Sequence, residues 1–292
     1  MAKIRIFTDT NGDLPKEIRE AYQIDYLKMC VAIDGQVVPA DSDWSLWSAH
    51  EFYELIKKQR VTTTQVPIEE FRTRFAACLE QGEDVIYIGC ALPLSSSVNT
   101  GAVVARELLA GYPEREIYCV DSKNVCNGEG MLAILAAQLR DAGKSAKEIV
   151  AAIEEKRAYV NQFVTVGSLD MLKRSGRVKG SAAFFGNLLG VKPILVSDAN
   201  GQNVPVVKVK GRKTSLDKLV EMMKEAVVAP EEQTVYIQHA DCEADALYLK
   251  EKLMELGFAN AVIGIIGPVV GACIGGGAIG IWAFGKKVEM VV

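Results

Sequence analysis

Three short stretches set hydroxyl side chains just after an apolar run and just before a helical pattern: "TDTNGDLP" at 8–15, "RVTTTQVPIEEF" at 60–71 and "LPLSSSVNTG" at 92–101. Helix N-termini leave N–H groups unpaired and carry about half a positive charge, so serine or threonine there can cap the helix or help hold an anion. In a parallel sheet such loops converge on the crevice outside the strand ends. Two of them facing each other would clamp a carboxylate or phosphate. A single hydroxyl before a helix also reads as an N-cap worth about 1 kcal/mol, and Pro67 followed by Glu69 and Glu70 is an ordinary helix start. Recurrence at three equivalent strand ends sets the ligand reading beside the capping one.

Other chemistry is poorly provided for. A serine hydrolase using Ser95 needs a histidine base, and the chain has only His50 and His239 and no Gly-x-Ser-x-Gly elbow. His239, ending "TVYIQHA", reads as a structural residue. The seven cysteines are odd in number, widely spaced and without a Cys-x-x-Cys, which predicts reduced, mostly buried thiols in a cytoplasmic protein and no structural zinc. A net charge of −4 with dispersed basic residues offers no field for nucleic acid. Gly275-x-Gly277-x-x-Gly280 matches a dinucleotide fingerprint, but no helix follows it and no acid stands about 20 residues on.

The elements that must position the hydroxyls come next. In 292 residues, 49% hydrophobic and 24% charged, there is material for two ordinary domains with a large core. The start, "MAKIRIFTDT", has an acid by residue 9 and no apolar run long enough for export, and reads as the first strand. "KIRIFTD", "EDVIYIGCA" and "REIYCVDS" alternate with "LPKEIREAY", "SSSVNTGAVVARELLAGY" and "GEGMLAILAAQLRDAG", a βαβ rhythm that predicts a mostly parallel sheet. After the helix "SAKEIVAAIEEKRAYV" the rhythm restarts with "QFVTVGS", then "LDMLKRSG", a helix or loop through "SAAFFGNLLG", and the strands "VKPILVSD" and "VPVVKVKG". The pattern predicts two α/β domains, 1–160 and 161–292, with the ligand site in the cleft between them.

Ala261 to Phe284 carries no charge over 24 residues, more than the roughly 20 that a membrane-spanning helix needs. Its seven glycines and Pro268 argue against such a helix, each glycine costing about 1 kcal/mol and the proline about 3 kcal/mol. No integral membrane segment is expected. "AVIGIIG" and "AIGIWAFG" read as two buried strands joined by a glycine-rich connection where backbone passes close to something, either a wall for an apolar ligand or simply packed core.

"TDTNGDLP", "TTTQVPIEEF", "LPLSSSVNTG", "VDSKNVCNGEG", "LDMLKRSGRVKG…LLGVKPIL", "KGRKTSLDKL", "IQHAD" and "GPVVGACIGGGAIG" follow one another in the order of DegV-family proteins. Singly these motifs are weak; in register along essentially the whole chain they are strong, and the sequence resembles the fatty-acid-binding, FakB-type members of this EDD-fold family. The resemblance implies a two-domain α/β protein that is not itself an enzyme. It would hold one long-chain fatty acid, such as palmitate, in an apolar inter-domain tunnel, with no cofactor. In bacteria with a fatty-acid kinase, such a protein presents the carboxylate to that kinase.

Carried over by residue, the resemblance makes Thr63 the carboxylate-binding hydroxyl and Ser95 its partner, with the N–H of Ser96 as backbone donor. Arg177 and Arg212 match arginines that would support the head group or dock a partner. Cys273-Ile274-Gly275-Gly276-Gly277 stands where many members have His-x-Gly-Pro-Gly, so Cys273 occupies the position of the histidine near the entrance. Ser96 replaces a glycine, Val98 a tyrosine, and Val66-Pro67 a Pro-Ser pair. The readings that remain beside this one are a phosphate- or sugar-binding protein and the Ser95 hydrolase.

Overall fold

The computed structural model describes residues 3–179 and 190–292. "SAAFFGNLLG", read above as helix or loop, lies outside them except for Gly190. The first part of the chain runs β1 (Lys3–Asp9), α1 (Lys16–Tyr22), β2 (Ile24–Leu27), β3 (Cys30–Ile33), β4 (Gln36–Pro39), α2 (Ala49–Lys58), β5 (Val61–Thr64), α3 (Ile68–Glu80), β6 (Glu83–Gly89), α4 (Ser97–Leu109), β7 (Ile117–Asp121), α5 (Asn127–Asp141) and α6 (Ala146–Lys156). The second runs β8 (Val160–Thr165), α7 (Leu169–Ser175), β9 (Val191–Ser197), β10 (Asn203–Lys210), α8 (Arg212–Ala226), β11 (Thr234–His239), α9 (Glu243–Met254), β12 (Asn260–Ile265), α10 (Pro268–Ile274) and β13 (Ile279–Phe284).

The strands form three sheets. β2-β1-β6-β7 is wholly parallel, as the βαβ rhythm predicts, and its inner strand β6 is buried along its full length. This is why "EDVIYIG" reads as a nearly continuous apolar run rather than an alternating one. β4-β3-β5 is a small antiparallel sheet inserted after β2. The third sheet, β10-β9-β8-β13-β11-β12, is antiparallel except for its β11–β12 edge pair. Helix starts follow the sequence: Ser48 with Glu51 and Ser145 with Glu148 form capping boxes that open α2 and α6.

Helix α5 is the keystone. "NGEGMLAILAAQ" has small or apolar residues on almost every side, and ten of its residues are buried, from Asn127 to Ala137. A helix apolar all round must be covered all round. α5 packs against β1 and β6 on one side and against β8, β11 and β13 on the other, so one apolar core runs unbroken from the parallel sheet to the antiparallel one.

The uncharged stretch 261–284 differs in detail from its reading. "AVIGIIG" supplies β12, an edge strand with Asn260 and Ile265 exposed, rather than a strand buried on both faces. "AIGIWAF" supplies β13, buried in the middle of its sheet. The glycine-rich connection between them contains the seven-residue helix α10, opened by Pro268 at a position where a missing N–H costs nothing. Gly275 and Gly277, with φ of 78° and 77°, then turn the chain into β13, a backbone conformation that L side chains resist. Among the described residues, no helix is long and apolar enough to cross a membrane.

Candidate functional site

β5 alternates, so Val61 and Thr63 turn to one face while Thr62 and Thr64 are exposed. Thr63 pairs with Val31 of β3 and faces α10, where its Oγ1 lies 4.0 Å from Cys273 Sγ. Across from it, the chain leaves β6 through Cys90 and Ala91, and the N–H groups of Leu94 and Ser95 both donate to the Ala91 carbonyl, at 2.8 and 3.1 Å. This turn delivers Ser95 to the start of α4. Ser95 Oγ accepts the Ser97 N–H at 3.3 Å and lies 3.0 Å from Ser97 Oγ, while Ser97 Oγ accepts the Val66 N–H at 3.1 Å. The loop after β5 and the first turn of α4 are thus bonded to each other. The N–H of Ser96, at the positive end of this 13-residue helix, has no hydrogen-bond acceptor among the described residues.

Thr63, Ser95, Ser96, Arg177 and Cys273 all line one cavity of about 430 Å³, within the range of roughly 300–1,000 Å³ usual for small-molecule sites. Its apolar wall includes Leu94, Val164, Leu195, Ile266, Val270 and Ile274, so the 261–284 stretch does supply wall. A second hollow of about 460 Å³ adjoins it, sharing Thr63, Ser175, Arg177 and Cys273 and rimmed by Lys57, Lys58, Arg60 and Arg174. The hydroxyl end of the apolar cavity therefore opens toward cationic side chains.

Arg212 is placed elsewhere. It opens α8, donates to Asp245 Oδ2 through Nε and Nη2 at 2.9 and 2.7 Å, and reaches Cys242 Sγ at 3.5 Å. It lines neither hollow. The two histidines are also outside them: His239 Nδ1 accepts the Cys242 N–H at 3.2 Å and burial pushes its pKa down, while His50 pairs with Asp241 at 2.8 Å. The glycines of the fingerprint-like sequence lead from a helix into a strand, the reverse of the strand-to-helix order that cradles a dinucleotide.

Burial pushes the thiol of Cys273 up, against the opposing pull of Arg177 and the Thr63 hydroxyl, and holds Cys90 and Cys126 well above the ordinary thiol range. All three line the cavity as neutral thiols. Beneath it lies a buried acidic group. Asp9 takes the Tyr87 hydroxyl at 2.6 Å, Asp13 takes the Gly267 N–H at 2.9 Å, and Glu129 bonds Thr8. Burial raises all three carboxyls, that of Asp13 to about 8. No group of three or more His, Cys, Asp or Glu among the described residues is arranged to hold a metal ion.

A family model described as "Uncharacterised protein, DegV family" matches residues 3–286. The chain belongs to the DegV family. A DegV domain-containing protein of Clostridium perfringens is 35% identical over 290 residues, 99% of this chain and 100% of the relative. Protein DegV of Bacillus subtilis is 30% identical over 291 residues, 96% of this chain and 99% of the relative. The crystal structure of a Bacillus subtilis DegV described as a fatty acid binding protein superposes with a TM-score of 0.83 at 28% identity, covering 98% of this chain and 100% of that one. A stearic acid-binding protein from Eubacterium ventriosum shares the fold, with a TM-score of 0.86 at 22% identity over 98% and 99% of the two chains.

Sequence reasoning missed part of the DegV-fold cavity. Asn11, Gln162, Asn203 and Trp282 also line it; Asn11 stands in one of the candidate anion-holding loops and Trp282 in the stretch read as a possible apolar wall, whereas Gln162 and Asn203 lie in or beside segments read only as strands. Two polar residues inside the apolar strands "VNQFVT" and "NVPVVKVK" were the available signal, since a buried amide needs a partner.

Proposed function

We propose that this DegV-family chain binds one long-chain fatty acid, its tail along the apolar wall and its carboxylate held by Thr63 Oγ1, Ser95 Oγ and the Ser96 N–H. The observation that carries this reading is the apolar cavity of about 430 Å³ that has these three donors in its lining. The family relatives crystallised as fatty acid binding proteins support it. Burying about fourteen methylenes at ~0.8 kcal/mol each gives roughly 11 kcal/mol of gross transfer free energy, from which immobilisation subtracts several. The tail supplies affinity. The donors keep a carboxylate from being buried unpaired, which would cost several kcal/mol, and fix its position.

In this reading the chain works as two lobes, 1–160 and 161–292, with the acid between them, and it carries the acid rather than transforming it. The lysines and arginines rimming the adjoining hollow then face whatever approaches the carboxylate, and a fatty-acid kinase is the partner that fits. Native mass spectrometry of the purified protein tests the reading. An adduct at the mass of a C16 or C18 acid is expected, and a protein that neither carries such a mass nor takes up added palmitate would overturn it.

A further inference from the structure

The proposed carboxylate site is a junction between two hollows of opposite character. Thr63, Ser175, Arg177 and Cys273 line both the apolar cavity and the adjoining hollow of about 460 Å³. Among the described residues no aspartate or glutamate lines that second hollow, whereas Lys57, Lys58, Arg60, Arg174 and Arg177 all do. Lys57 is engaged by Glu54. Arg174 and Arg177 bond only backbone carbonyls, those of Asp170 and Ser175, and among the described residues neither they nor Lys58 and Arg60 have an acidic partner. The hollow therefore carries cations that nothing in the fold neutralises.

The wall that leads from the junction to Arg60 is β5. Arg60, Val61, Thr62 and Thr63 are consecutive and all line the hollow; a strand showing only one face would contribute every second residue. β5 pairs with β3 alone and is the edge of its sheet. On such an edge every second residue turns its N–H and C=O away from the partner strand, and among the described residues no peptide group of Val61–Thr64 bonds outside the β3 ladder. Free peptide groups thus run along the hollow, and the strand carries them about 10 Å from the Cα of Thr63 to that of Arg60. A free fatty acid uses none of this, since its carboxylate ends at the junction, and one phosphate placed on that carboxylate would end only a few bonds further on.

We propose that the two hollows together take long-chain acyl thioesters of the coenzyme A type. The acyl tail lies in the apolar cavity and the thioester oxygen accepts from Thr63, Ser95 and the Ser96 N–H. The amides of the pantetheine arm pair with the free edge of β5, and the phosphates beyond it meet Lys58, Arg60 and Arg174. A neutral thioester oxygen bonds these donors less strongly than a carboxylate does, and the charge-assisted bonds to phosphate offset that loss. The inference rests on the fatty-acid reading above, whose tail and oxygen contacts it keeps, and adds a ligand class to it. No bond of the thioester is broken; the chain remains a carrier.

The test uses the full chain stripped of lipid. Palmitate, palmitoyl-CoA, S-palmitoylpantetheine and hexadecyl phosphate, each below its critical micelle concentration, compete with a fluorescent fatty acid, and native mass spectrometry checks that the bound species is the intact thioester rather than released palmitate. Palmitoyl-CoA is expected to bind about tenfold or more tighter than S-palmitoylpantetheine, which lacks the phosphates, and to lose that margin as salt screens the cations. Lys58→Gln combined with Arg60→Gln should weaken palmitoyl-CoA about tenfold and leave palmitate within about twofold. Arg174→Gln, on the opposite wall, should discriminate in the same direction, and all three side chains are exposed, so the fold is not at risk. Equal loss for both ligands, palmitoyl-CoA no tighter than S-palmitoylpantetheine, or binding of palmitate and hexadecyl phosphate with rejection of palmitoyl-CoA overturns the inference and leaves the fatty-acid reading intact. Failure of folded wild-type protein to bind any of these ligands overturns both.

Discussion

Ser97 Oγ accepts the N–H of Val66 at 3.1 Å, joining the strand that carries Thr63 to the helix start that carries Ser95. Ser97 is fully buried, so this bond is not exchanged with water. Its hydroxyl ties together the segments that carry the two proposed carboxylate ligands, and Ser97 lines neither hollow itself.

Ser97→Ala leaves the Val66 N–H unpaired in a buried site and should destabilise the protein by about 1–3 kcal/mol. Chemical denaturation would measure this. Fatty-acid affinity should fall with it, because Thr63 and Ser95 lose their common tether. Unchanged affinity in the folded variant would show that the two loops hold their spacing by other means.

Thr63→Ala combined with Ser95→Ala should weaken binding of palmitate by about a hundredfold or more, since hydrogen bonds to a charged group contribute about 1.5–3 kcal/mol each. Both residues are only half-buried, so the melting temperature should hardly move. Displacement of a fluorescent fatty acid reads the first effect and calorimetry the second.

Stability should fall as the solution becomes more alkaline. Burial pushes the Asp13 carboxyl up to about 8 from its ordinary 3.8, so the folded state holds a proton that the unfolded chain releases. The stabilisation is fully present below the unfolded value and is lost as pH rises through the folded one. Asp9 and Glu129, raised by burial as well, slope the same way. Melting temperatures between pH 6 and 9 should therefore decline. Asp13→Asn keeps an oxygen to accept the Gly267 N–H and should flatten part of that decline.

Gly271→Ala should destabilise by about 1–3 kcal/mol through overpacking. A methyl there would sit 2.6 Å from the hydroxyl of Tyr53, which is itself fixed by donating to the Ile266 carbonyl at 2.6 Å. The helix that carries Cys273 would have to shift, so ligand affinity should fall in the same variant.

The parallel sheet was legible because β1, β6 and β7 are apolar runs separated by helices of ordinary length and ended by turn residues. The antiparallel insertion of β3, β4 and β5 was not. "CVAI", "QVVP" and "VTTT" are too short for a periodic signal, and β4 is largely exposed. α10 was hidden because a helix covered on its buried face can be as rich in glycine and valine as a strand. At the site, Thr63, Ser95 and Ser96 could be named from motif order, and all three line the cavity. Arg212 could not be positioned, because a basic residue at a helix start gives no sign of whether it points to a ligand or, as here, to Asp245. Gln162 and Asn203 went unnoticed since pairing between amides from distant strands leaves no local pattern.

The burial of α5 between the two sheets bears on how cargo is loaded. Parting the sheets like a clamshell would strip one flank of that helix and expose the core they share, so a hinged opening carries the cost of uncovering that core. If the proposed acid is the cargo, threading it lengthwise through the rim leaves that core covered. Exchange rates should then track local loosening of the loops around the mouth and be insensitive to changes in α5 that leave the fold intact.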